Sequence, residues 1–533
     1  MNATPHNSRY HSLVAIGQVT SLLLAVISGA LMVTTAVSLG MDDSPKVVRG
    51  FLLTFLVTAS LATLFYYVCR QRLGRRTLET SARDGFVSVG LGWLVVSVIA
   101  AIAFRLTIGI PWADAIFETS SGLTTTGATI LGDSALFEAP KGCLDAAKPA
   151  FGYGILFWRA MLNWLGGVGI VFFVLLLLPM LKLGQSKMLY NAEVPGLKTT
   201  ADQTTPHLAT SVWCVLGVYG GLTLAAILLY HIFGMTWFDA VCHAFSTIST
   251  GGFSPRADGL AHYNHLPALQ WIVVLFMFLS ACNFSLHIQR FTSLKVVYWK
   301  DEEFRFFFIV VLVAIGFVAT SLGLSGVSRK MLFLNGEEGI TFVSVEEYLR
   351  VAAFQVVTVL STTGFCNGNW ESWGISSVLL LIAILMVPCG CGGSTAGGMK
   401  WSRIVVLFKQ LSLEIRRCIS PRMVQDIRLN NERLDSGVVG KTLAFVALYA
   451  IITLAVALLL SVFEPMAKDV STAFGAALTS LSNVGPGFGA VNPAGNFAEF
   501  NCISKLLLAL TMIIGRLELF TIIVLFLPST WKK

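Results

Sequence analysis

The feature that most constrains this chain is a succession of apolar runs of membrane-spanning length, arranged in pairs. A spanning helix needs about 20 mostly apolar residues. Runs of that kind fall at 85–107 with 152–182, 209–233 with 267–289, 305–325 with 375–408, and 442–463 with 503–528. Two more precede them, Ile16–Leu39 and Phe51–Cys69. The first exceeds the apolar core of a cleavable leader, so residues 1–69 read as a membrane hairpin. In lipid every backbone polar group must be bonded inside the protein, so the runs read as helices.

Between the members of each pair lies a shorter segment that opens amphipathic and ends in small, polar residues. Such a segment suits a re-entrant half-helix better than a span. The expected fold is therefore all-α: a two-helix N-terminal hairpin, then four helix–half-helix–helix repeats in pseudo-fourfold arrangement around one pore, about ten spanning helices in all. The segments are 1–69, 70–206, 207–300, 301–436 and 437–533.

Charge agrees with this placement. Charged residues make up 12% of the chain, about half the share in soluble domains. The net charge of +8 does not point to nucleic acid, because the basic residues cluster between apolar runs. Arg70, Arg72, Arg75, Arg76 and Arg83 follow the hairpin, Arg290, Lys295, Lys300 and Arg305 join the second repeat to the third, and Lys400, Arg403, Lys409, Arg416, Arg417 and Arg422 precede the fourth. The positive-inside bias puts these linkers, and with them both termini, in the cytoplasm. The ten cysteines show no zinc spacing, and Cys389 and Cys391 read as structural. Val438–Thr442 imitates a phosphate loop, but Asp435 stands where its first glycine belongs. Neither a metal-binding His pair nor a nucleophile–His–acid set is visible, so the chain reads as no enzyme, with no covalently bound cofactor.

The ends of the four half-helices resemble one another. They read Ser121-Gly-Leu-Thr-Thr-Thr-Gly127, Ser246-Thr-Ile-Ser-Thr-Gly-Gly252, Val359-Leu-Ser-Thr-Thr-Gly364 and Ser480-Leu-Ser-Asn-Val-Gly485. Aligned on the last glycine, the candidate site is Thr125, Thr126 and Gly127; Thr250, Gly251 and Gly252; Thr362, Thr363 and Gly364; and Asn483, Val484 and Gly485. A desolvated cation needs several oxygens, which short extended loops supply from backbone carbonyls. Glycine lets such carbonyls turn inward, and each half-helix would aim its negative C-terminal end at the centre. The plainer alternative is four Thr/Gly turns between membrane helices, and the fourfold recurrence argues against it.

These loops, the run Trp158-Arg-Ala-Met-Leu-Asn-Trp164-Leu-Gly-Gly-Val-Gly169, the stretch Gly392-Gly-Ser-Thr-Ala-Gly-Gly-Met-Lys400 and Gly515-Arg516-Leu-Glu518 together resemble the Trk/Ktr/HKT superfamily of cation transporters. The two-helix preface resembles its bacterial branch of TrkH/TrkG-type potassium uptake subunits. The resemblance covers nearly the whole chain. It implies a channel-like fold, a homodimer in the bacterial inner membrane, and a cytosolic nucleotide-binding regulatory subunit of the TrkA type. It implies K⁺ as the transported ion, because Na⁺-preferring plant relatives carry serine at the first-loop glycine and this chain keeps glycine in all four loops.

The resemblance also implies a gate at Gly390, Gly392, Gly393, Ser394, Thr395, Ala396, Gly397 and Gly398, with Arg516 beside it. A glycine kink for close helix packing is the alternative for that stretch. Arg516 lies in an apolar run, where a charge is expensive and functional by default. It either bonds carbonyls of the glycine-rich stretch or pairs with Glu518 or snorkels. The rival mechanism on the same fold is a Na⁺- or H⁺-coupled K⁺ symporter, for which Asp114, Glu118 and Asp239 are the candidate acids. The basic linkers 183–206 and 409–436 offer docking surface for the regulator, and no role is assigned to Phe137–Ala150.

Overall fold

A computed structural model describes residues 5–73, 82–131, 151–180, 205–293, 297–333, 343–422, 425–430 and 432–531. The 137–150 segment and most of the linker 183–206 lie outside the described residues.

The chain is helical as expected. The hairpin is α1 (Pro5–Gly40) and α2 (Pro45–Leu73). The first repeat follows as α3 (Ala82–Thr107), the half-helix α4 (Trp112–Leu123) and α5 (Tyr153–Met180). The second is α6 (Thr205–Ile232), half-helix α7 (Trp237–Ile248), α8 (Pro267–Ala281) and α9 (Phe284–Ser293). The third is α10 (Glu302–Leu324), half-helix α11 (Val345–Leu360), α12 (Ser376–Leu385) and α13 (Trp401–Ile419). The fourth is α14 (Ser436–Phe463), half-helix α15 (Val470–Ser482), α16 (Cys502–Arg516) and α17 (Phe520–Phe526).

Among the described residues six helices are long and apolar enough to cross a membrane, and a bent pair makes a seventh. Their burial separates lipid-facing from inner spans. Within the hairpin, Pro45–Gln71 is 22% buried, whereas Gly85–Thr107 is 61% buried because α3 lies inside the hairpin's cover. The half-helices have 12, 12, 16 and 13 residues, a rise of about 18–24 Å. That is short of the ~30 Å hydrocarbon core, so they enter and stop. Three of the four starts carry side-chain caps: the Thr236 hydroxyl accepts from Asp239 N, Ser344 and Glu347 form a capping box, and the Asp469 carboxylate accepts from Thr472 N. The Ser471 hydroxyl, followed by Thr472, holds the Asp469 carboxyl below its usual range.

Two runs read from sequence as single spans are broken. The 267–289 run bends by 100° between α8 and α9, where the Asn283 side chain caps the new helix by accepting from Ser285 N at 2.9 Å. The 503–528 run breaks between α16 and α17, with Glu518 and Leu519 at φ 58° and 44°. The third repeat is interrupted at the expected place. Residues 386–400 form a loop closed by a parallel bridge, Pro388–Cys389 beside Met399–Lys400. Backbone groups freed at the α8–α9 break are taken up by this loop: Cys391 N donates to Ala281 O at 2.8 Å and Phe284 N to Gly393 O at 3.1 Å. Broken helix at membrane depth is tolerated because its partners are protein.

Candidate functional site

Each half-helix ends in the same hydrogen-bonded cap. The amide of Thr126 donates to Ser121 O at 2.9 Å, Gly251 N to Ser246 O at 2.7 Å, Thr363 N to Thr358 O at 3.0 Å, and Val484 N to Thr479 O at 3.1 Å. Such a bond, spanning five residues, requires the residue before the donor to turn left-handed. Those residues are Thr125, Thr250, Thr362 and Asn483, at φ 53°, 57°, 58° and 57°. Asparagine tolerates that conformation, but a β-branched threonine is an outlier there. Three such threonines at equivalent places are strain held by the surroundings, which is the mark of a functional loop.

The glycines explain how the four loops meet. A Cβ on Gly127 would lie 2.6 Å from Gly251 O, one on Gly252 would collide with Thr363 O, one on Gly364 with Val484 O, and one on Gly485 would lie 2.6 Å from Thr126 O. Each glycine Cα thus rests against the carbonyl just before the next loop's glycine, and the fourth returns to the first. The ring is closed by backbone contact. Asn483 Nδ2 adds a side-chain link across it, donating to Thr126 Oγ1 and Met512 O, both at 2.9 Å. On one side the four glycines line a cavity of about 250 Å³, which Arg159 and Arg256 also border.

The second helices press on the half-helix ends. A Cβ on Gly166 of α5 would collide with Leu123 O, and one on Gly515 of α16 with Leu481 O. This close approach gives Gly166 of the 158–169 motif and Gly515 of the 515–518 motif a physical reason.

On the other side of the ring sits the 386–400 loop. The Thr395 hydroxyl donates to Ile248 O at 2.9 Å, Thr250 Oγ1 donates to Thr395 O at 3.0 Å, and Gly397 N donates to Thr362 Oγ1 at 2.9 Å. A Cβ on Gly397 would be 2.6 Å from the Asn483 Cβ. The loop therefore touches three of the four left-handed residues. The fourth, Thr125, faces Gly166 of α5. Arg516 covers that side, donating through Nη1 to Thr395 O at 2.7 Å and through Nη2 to Gly166 O at 3.1 Å. Glu518 pairs with Arg403 instead of Arg516. Lys400 Nζ bonds Ala396 O, and Glu303 Oε1 accepts from Gly392 N and Ser402 N, each at 2.7 Å.

The three candidate acids are each paired with a base. Asp114 meets Lys505 at 2.6 Å, Glu118 meets Arg159 at 2.8 Å, and Asp239 meets Arg256 at 2.7 Å. Sequence reasoning missed Arg159, His243, Gln355 and Glu303. The first lies inside a quoted motif, and the others share no residue type.

Hairpin, half-helices and ring define a polytopic helical membrane protein in which four re-entrant loops converge on one axis. The TrkH model, described as a cation transport protein, matches residues 47–533. The chain belongs to this TrkH family of cation transport proteins, and so is a transporter rather than an enzyme. It is 34% identical over 528 residues to the Trk system potassium uptake protein TrkH of Salmonella typhimurium, covering 97% of this chain and 99% of that one. It is 30% identical over 488 residues to TrkG of Escherichia coli, covering 91% and 92%. The crystal structure of the potassium transporter TrkH from Vibrio parahaemolyticus superposes with a TM-score of 0.81 at 30% identity, covering 98% of this chain and all of that one.

Proposed function

We propose that this protein carries K⁺ into the cell across the bacterial inner membrane through a gated pore whose selectivity filter is the four-loop ring. The carrying observation is the closed ring, in which glycine is sterically required at Gly127, Gly252, Gly364 and Gly485 and each contact is to a backbone carbonyl. Carbonyls held in this way suit a monovalent cation stripped of water. The printed function of the relatives, potassium uptake, supports the ion.

The 386–400 loop is the gate in this reading. It sits across the axis beneath the filter, and Arg516 holds it by a charge-assisted bond to Thr395 O. Uniport is favoured over proton-coupled symport because Asp114, Glu118 and Asp239 are each paired with a cationic side chain.

The repeats divide near 70, 207, 301 and 437, with both termini cytoplasmic, and the protein works as a homodimer. A cytosolic nucleotide-binding subunit docks on the basic 409–436 region. Charge reversal at Arg416, Arg417 and Arg422 should weaken its co-purification, and unaltered binding would move the interface elsewhere.

Ion flux into liposomes holding the purified protein alone tests the whole reading. K⁺ and Rb⁺ should enter under a membrane potential without added Na⁺ or a proton gradient. Uptake that requires either gradient would establish the symporter.

A further inference from the structure

Counting back nine residues from each ring glycine gives Glu118, His243, Gln355 and Ala476. The first three differ in chemistry, yet each is fully buried and each reaches the strand that leaves the ring. Glu118 accepts from Thr129 Oγ1 at 3.0 Å and from Ile130 N at 3.0 Å. His243 Nε2 meets Ser254 Oγ at 3.0 Å. Gln355 Nε2 donates to Asn367 Oδ1 at 2.9 Å and to Gly368 O at 3.0 Å. The partners all lie two to four residues beyond the glycine.

Glu118 and His243 are themselves fixed from behind, and in the third repeat the target is. Arg159 Nε donates to Glu118 at 2.8 Å. His243 Nδ1 lies 2.8 Å from Asp239 O, which only accepts, so Nδ1 carries the proton and Nε2 accepts from the Ser254 hydroxyl. Asn367, which Gln355 holds, donates to Gln270 Oε1 at 3.4 Å. The fourth repeat has alanine at this register and links half-helix to strand through close backbone approach at Gly475 and the Thr479 hydroxyl. At Gly475 a Cβ would lie 2.6 Å from Phe488 N, and the Thr479 hydroxyl donates to Pro486 O at 3.1 Å.

A strand leaving a left-handed turn has no ladder of its own, so its position must come from behind. A ring that discriminates between ions by carbonyl placement needs that position fixed. We propose that Glu118, His243 and Gln355 are positioning residues for ion selectivity, acting as struts between half-helix and outgoing strand. This inference rests on the filter reading above.

Because the strut is defined by register and not by chemistry, struts should be exchangeable. His243→Gln installs the third repeat's strut in the second and should keep the K⁺/Na⁺ permeability ratio. His243→Leu and Gln355→Leu each remove a buried bond and should lower the ratio by about threefold or more. Ser254→Ala leaves the half-helix sequence intact and removes the strut's target, together with the acceptor of Arg256 N, so it should lower the ratio even where the leucine variants do not assemble. The ratio is read as a reversal potential in bilayers holding purified protein, a quantity that does not depend on the amount inserted. Gly127→Ser is measured alongside. A shift in Gly127→Ser with none in Ser254→Ala or the leucine variants overturns the strut inference alone. No shift in Gly127→Ser overturns the filter reading beneath it. A ratio that falls equally in His243→Gln and His243→Leu also overturns the inference, since register would then not suffice.

Discussion

The ring and the loop beneath it are both rich in glycine and threonine, yet they are held in different ways. In the ring, glycine is demanded by contact with a neighbouring carbonyl at four equivalent places, and the five-residue bond that closes the turn before each is repeated in all four. The 386–400 loop occurs once; Gly397 packs closely on Asn483, but the loop is also tied by hydrogen bonds to side chains on separate elements: Thr250, Thr362, Glu303 and Arg516. A steric lock has no second position, because protein interiors do not deform continuously. A set of hydrogen bonds can be exchanged one at a time. The difference teaches why one region is fit to discriminate and the other to move.

The largest expected effect breaks the lock. In Gly364→Ala the new methyl collides with Val484 O, which is backbone and has nowhere to go. We expect destabilisation of about 3 kcal/mol or more, seen as a lower unfolding temperature in detergent, with K⁺ preference lost in whatever protein assembles. A stable, selective Gly364→Ala protein would show that the ring contacts are not tight.

Next is Arg516→Ala, which removes the loop's charged anchor and leaves the ring's backbone contacts in place. Regulator-independent K⁺ flux should rise severalfold while the K⁺/Na⁺ ratio stays within about twofold of wild type, because removing one charge-assisted bond weakens a closed state. Wild-type flux in a folded variant would reduce the loop to a packing kink. The smallest effect is read in stability. Glu303→Ala leaves the buried amides of Gly392 and Ser402 without their acceptor, an expected loss of about 1–3 kcal/mol. A midpoint of thermal unfolding unchanged from wild type would contradict it.

The same contrast explains what was readable in the sequence. The ring was legible because a left-handed turn against a carbonyl admits few residue types, so its four copies still look alike. Gly390–Gly398 was legible as an interruption, since glycine weakens helix. Of its anchors, Arg516 was legible and Glu303 was not. Glu303 looks like an ordinary first-turn acid of α10, and only the fold brings it to Gly392. Arg516 stood out as a charge in an apolar run, but its partners are two backbone carbonyls far along the chain, while the adjacent Glu518 goes to Arg403. The breaks at 282–283 and 517–519 were hidden because apolar residues resume on both sides of each, and at 282–283 the freed backbone groups are satisfied by the distant 386–400 loop. The struts escaped because carboxylate, imidazole and amide share a position and not a chemistry.

The central claim is that the four-loop ring selects the ion, and one measurement addresses it directly: the reversal potential with K⁺ on one side of a bilayer and Na⁺ on the other. Wild-type protein should hold the potential near that of K⁺. Gly127→Ser, whose new Cβ would sit 2.6 Å from Gly251 O, should move it toward Na⁺. Equal potentials for the two proteins, with both conducting, would contradict the account.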